Sequence, residues 1–103
     1  MNTRTFAIEF IESSLVLARK YRKKAHGKAA KGCSWRPMNR LRCMHRDLYK
    51  MRECDARFWV MQARDLVLSV ACNSTSTEAE TCEAFAEADW IIQHWIELSG
   101  INS

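Results

Sequence analysis

From Phe6 to Tyr21 apolar residues recur at intervals of three and four. At about 100° per residue, Phe6, Ala7, Ile8, Phe10, Ile11, Leu15, Leu17, Ala18 and Tyr21 sweep an arc of about 200°. This predicts a helix from about Thr5 to about His26, with an apolar face wide enough to meet two neighbours. Thr3 or Thr5 can cap its start, and its bases cluster at the end where the helix dipole favours them. Gly27 fits the left-handed residue after a helix. Lys28 to Ala30 can add a turn before Gly32.

The connector Gly32-Cys33-Ser34-Trp35-Arg36-Pro37 follows. Ser34 is a credible cap, and Pro37 is tolerated in a first helical turn. A second helical pattern runs from about Pro37 to about Cys72. Leu41, Met44, Leu48, Met51, Trp59, Gln62 and Leu66 share a stripe about 80° wide. From Phe58 to Ala71 the other faces are also mostly apolar, which predicts a long, central, enclosed helix. Its length calls for a kink or break near Glu53–Ala56. A third helix follows the polar loop at Asn73. Thr75 with Glu78, or Thr77 with Glu80, has capping-box spacing, and Gly100 fits the residue after its end near Ser99. Ala84, Phe85, Ala88, Ile91, Ile92, Trp95, Ile96 and Leu98 form its apolar face. Glu83, Glu87, Trp90, His94 and Glu97 form the opposite one.

A chain of 103 residues predicts one helical domain over 1–103, able to bury about two thirds of its unfolded surface. A hydrophobic content of 48% argues against disorder, and three glycines with one proline argue against an all-β fold. The expected fold is all-α: a compact three- to four-helix bundle with a long central helix. Glu9 and Glu12 interrupt the N-terminal apolar run, so it makes a poor secretory signal. No run approaches the roughly 18 apolar residues of a membrane span, so no membrane partner is expected. Five cysteines at irregular spacing point to free thiols and a cytoplasmic location.

Charge changes the picture most. Residues 19–52 hold thirteen bases and one acid, Asp47, whereas residues 53–103 hold two bases and nine acids. The overall +4 therefore conceals a basic middle joined to an acidic end.

Catalytic and metal chemistry find little support. Cys33, Cys43, His45, Cys54, Cys72, Cys82, His26 and His94 include suitable ligand types, but none falls in the paired spacing of a structural zinc site. Cys43 and His45 are two apart and point about 200° apart on a helix. There is no G-x-S-x-G, no glycine-rich phosphate loop and no H-E-x-x-H, so neither an enzyme nor a cofactor is expected. Asp55 and Gln62 fall on the second segment's apolar stripe. A buried carboxylate needs a partner, which Arg52 or Arg57 can supply, unless a helix break carries Asp55 out to water.

Two functions of different classes remain. In the first, Lys20, Arg22, Lys23, Lys24, Lys28, Lys31, Arg36, Arg40 and Arg42 engage a polyanion, with Trp35 stacking on unpaired bases. The partner is nucleic acid or a complex that handles it. No recognition-helix or RNP-type motif supports sequence-specific readout. In the second, the chain is a protein–protein adaptor or inhibitor, of the kind some phages and plasmids use against a host complex. It binds through the basic face, or through Trp90 with Glu83, Glu87, His94 and Glu97. Self-association into a homo-oligomer through the wide apolar faces is a further expectation.

Overall fold

The computed structural model describes residues 3–24, 35–75 and 77–100. Four helices carry the chain: α1 (Thr3–Lys23), α2 (Trp35–Arg46), α3 (Ala56–Asn73) and α4 (Glu78–Ser99). No strand occurs among the described residues. The fold is an all-α helical bundle.

The second apolar pattern is two helices. Between α2 and α3 the chain makes two short 3₁₀ turns, Leu48–Lys50 and Glu53–Asp55. The expected break is real, and it extends over the whole link from Asp47 to Asp55. Met51 is buried within that link and Leu48 packs on the core. Their docking continues the apolar rhythm across a stretch that is not one helix.

Contacts at the two ends of α1 fix the topology. Arg4 Nε donates to the carbonyl oxygen of Met51 at 2.9 Å, and the Arg4 backbone N–H lies 3.2 Å from Glu53 Oε1. Glu53 thus supplies an acceptor to the start of α1 from across the fold, favourable at the positive end of the helix dipole. The end of α2 and the start of α3 both lie at that level, so α2 runs antiparallel to α1 and α3 runs parallel to it. At the other end Tyr21 donates its hydroxyl to Glu87 Oε1 at 2.8 Å, so α4 also runs antiparallel to α1.

The core lies mainly between α1 and α3, the most closely packed pair. Both bury small side chains: Ala7, Ser14 and Ala18 on α1, and Ala56, Ala63 and Ala71 on α3. Larger residues fill the space around this seam, including Phe10, Ile11, Val60, Val67 and Val70. α2 packs on both helices through Met38 and Leu41. α4 packs on α3 through Ala88, Ile92 and Ile96, and reaches α1 through Trp95, which meets Phe10 edge to face at 5.7 Å. α2 packs on both α1 and α3, α4 packs on α3 and reaches α1 by side chains alone, and α2 and α4 form no close pair among the described residues, so the α1–α3 layer separates them.

The expected face of α1 is the observed one, with Ile8 only half-buried. That of α3 is not. Its buried positions are Ala56, Val60, Ala63, Val67, Val70 and Ala71, while Trp59, Gln62 and Leu66 sit at its flank. α3 touches all three other helices, yet Phe58 and Met61 are 61% and 56% exposed, so it is central without being enclosed.

α4 matches its expected ends. Thr77 Oγ1 accepts from the Glu80 backbone N–H at 3.2 Å, and Gly100 takes φ of 71° after the last turn. Of its apolar face, Phe85 and Leu98 remain exposed.

Candidate functional site

The basic residues divide between two helices. On α1, Lys20, Lys23 and Lys24 lie exposed in and just beyond the last turns, and Arg22 is half-buried beside them. On α2, Pro37, Met38 and Leu41 are buried, which turns Arg36, Arg40, Arg42 and Arg46 to solvent over an arc of about 160°. α2 contains four arginines and no acid. Since the two helices are antiparallel, the end of α1 and the start of α2 share one end of the bundle. Lys28 and Lys31, together with the side chain of Trp35, lie outside the described residues, as do His26, Gly27, Gly32, Cys33 and Ser34. The backbone of Trp35 opens α2.

The ion pairs in this region are local. Arg46 Nε lies 3.2 Å from Asp47 Oδ1 and Lys50 Nζ lies 3.9 Å from the same oxygen. Arg52 Nε lies 2.8 Å from Asp55 Oδ2. These contacts hold both aspartates below the usual carboxylate range, chiefly through the hydrogen bonds from Arg46 and Arg52. The helix break therefore sets Asp55 at the start of α3, paired with Arg52 and reached by water. Among the described residues, Lys20, Lys23, Lys24, Arg36, Arg40 and Arg42 form no ion pair. Lys24 is the one with an acidic setting. It shares a groove of about 290 Å³ with Glu80, Glu83 and Glu87, and its Nζ stands 5.9 Å from the Tyr21 ring centre.

The outward face of α4 is the second candidate. Glu83, Glu87, Trp90, His94 and Glu97 are all exposed. Trp90 is 68% exposed and stacks on His94, with ring centres 5.4 Å apart and planes 3° from parallel. No described part of the chain covers it.

Compared with family models, curated proteins and solved structures, the chain matches none. The chemistry of its surfaces must therefore carry the functional reading.

Among the described residues no three His, Cys, Asp or Glu side chains converge on a possible metal position. Cys43, Cys54, Cys72 and Cys82 are free thiols, and burial raises that of Cys72. No described helix is long and apolar enough to cross a membrane. A groove of about 380 Å³ between α1 and α4 has Phe6, Phe10 and Trp95 in its lining, with Glu9, Ser13, Leu98 and Ser99. Sequence reasoning missed this groove, because it depends on how α4 crosses α1.

Proposed function

We propose that this protein is a non-enzymatic polyanion-binding module, acting in the cytoplasm on nucleic acid or on a complex that handles it. The observation that carries the reading is the α2 surface. Arg36, Arg40 and Arg42 are exposed and without ion pairs among the described residues, on a helix that has no acid. Lys20, Lys23 and Lys24 extend the same charge at the adjoining end of α1. Guanidinium groups on a rigid helix suit phosphate oxygens, because the planar fork can donate two parallel hydrogen bonds. Such contacts position a backbone and carry no base information, so the expected binding is sequence-tolerant.

Fluorescence anisotropy with labelled single strands and duplexes, repeated across a salt series, tests this. Log affinity should fall against log salt by roughly one slope unit per phosphate neutralised. The triple change Arg36→Glu, Arg40→Glu, Arg42→Glu should weaken binding by at least about tenfold and flatten that slope. Affinity that ignores both salt and the triple change, in a variant of unchanged helicity, rules the reading out.

The exposed Trp90–His94 stack favours a second reading, a protein–protein adaptor or inhibitor that binds through α4. Interface cores are enriched in tryptophan, and a large aromatic left in water costs solvation free energy that a partner recovers. Affinity capture from lysate with and without nuclease separates the two. Loss of all partners on nuclease treatment supports polyanion binding. A protein retained by the native chain and lost with Trp90→Ala supports the adaptor.

A further inference from the structure

We propose that the outward face of α4 docks onto the outward face of α2 in a second copy of the chain, so that copies associate head to tail through opposite charge. This rests on the second reading above, that the α4 face is a protein contact, and it names the partner. The two faces are complementary in sign, length and chemistry. Glu83 and Glu97 are exposed and form no ion pair among the described residues, while Glu87 is fixed by the Tyr21 hydroxyl. Arg36, Arg40 and Arg42 on α2 likewise form no ion pair among the described residues. At about 1.5 Å per residue, the span from Glu83 to Glu97 is about 21 Å and that from Arg36 to Arg42 about 9 Å, so the arginine row fits within the length of the glutamate row. Between the glutamates, Trp90 stacks one face of its indole on His94, and its other face is left for a partner. A guanidinium from α2 can stack on the indole while its N–H groups reach the neighbouring carboxylates.

The arrangement also sets the symmetry. α2 and α4 lie on opposite sides of the α1–α3 layer, so one copy cannot meet the same partner through both faces. The contact is heterologous, and it builds rings or open chains rather than a two-fold dimer. Because α2 is also the surface offered to phosphates, a polyanion and a neighbouring copy compete for it.

Sedimentation velocity over a concentration series tests this. At about 0.1 M salt, where the screening length is about 10 Å, the average mass should rise with concentration to at least about twice the monomer's. At about 1 M salt, where screening falls to about 3 Å, it should return to the 12.0 kDa of one chain. The α2 reversal (Arg36→Glu, Arg40→Glu, Arg42→Glu) and an α4 reversal (Glu83→Lys, Glu97→Lys) should each be monomeric alone. Their equimolar mixture should associate again, since each then supplies the face that the other needs. A native chain that stays at monomer mass at low salt overturns the proposal, as does a mixture that fails to associate. Association that persists at about 1 M salt and in both reversals also overturns it, and assigns the contact to an apolar face. The α4 reversal leaves α2 intact, so polyanion binding is measured on it separately. A protein other than this chain, captured through Trp90 while the native chain remains monomeric, keeps the adaptor reading and rejects this partner.

Discussion

Two buried hydroxyls show how single residues carry or fail to carry the fold. Ser14 is fully buried on α1 and its Oγ has no hydrogen-bond partner among the described residues. An unpaired buried hydroxyl costs about 1–3 kcal/mol of desolvation with nothing returned. Ser14→Ala should therefore be neutral or raise stability by up to about 1 kcal/mol in a urea titration. Tyr21 is the converse. Its hydroxyl is held by Glu87 at 2.8 Å, and Tyr21→Phe should cost about 1 kcal/mol. Burial, followed by the Glu87 carboxylate, pushes the Tyr21 phenol well above its ordinary value. The folded state thus resists ionisation that the unfolded chain undergoes near pH 10. The advantage of the native chain over Tyr21→Phe should be complete below about pH 10 and shrink as pH rises beyond it. Paired urea titrations at neutral and alkaline pH measure the difference. Tyr21 was legible as part of an apolar face. Glu87, sixty-six positions away, was legible only as a surface acid, because nothing local links the two.

Among the elements, α4 was the most legible, since its start and stop are written in local chemistry. Thr77 caps the first turn, and Gly100 adopts a conformation that other residues reach only with strain. Removing either signal should shorten the helix without touching the core. Thr77→Ala should cost about 1 kcal/mol, as cap deletions do. Gly100→Ala should cost about 1 kcal/mol too, even though a Cβ there would meet nothing within 4 Å, because the penalty comes from φ alone. Thermal melts followed by circular dichroism would register both. The link between α2 and α3 was harder to read. It contains no glycine or proline, and Leu48 and Met51 dock as helical residues would. α3 was misread for a related reason. Trp59 and Leu66 dominate a periodicity count by their size, whereas the face against α1 is built of alanine and valine. Close helix approach selects small residues there. Ala63→Leu, at a position with no exposed surface, should therefore cost about 1–3 kcal/mol or more through overpacking.

For the whole molecule, the sign of the charge on each segment was legible in the sequence, but its accessibility was not. That depended on the cations of residues 19–52 staying clear of the acids of α4, and the helix order largely arranges this. α2 stands across the α1–α3 layer from α4, while among the described residues Lys24 shares a groove with α4 glutamates. The same separation that leaves the arginines available leaves them repelling one another. The described ion pairs near them are exposed and local, and pairs of that kind contribute little to stability. Like-charge repulsion across α2 and the end of α1 should therefore outweigh them. Raising sodium chloride from low to moderate concentration should increase the melting temperature of the dilute monomer, opposite in sign to a fold held by surface ion pairs. A polyanion should also raise it at constant low salt, since it adds about 2.7 kcal/mol to the unfolding free energy when present at 100 times its dissociation constant. The Arg36→Glu, Arg40→Glu, Arg42→Glu variant places acids among the remaining bases, so its melting temperature should fall as salt screens the new attractions and should ignore the polyanion. A salt response of the same sign in both proteins would mean that the stability of the bundle is indifferent to its arginine row, and that those side chains are solvated without mutual strain.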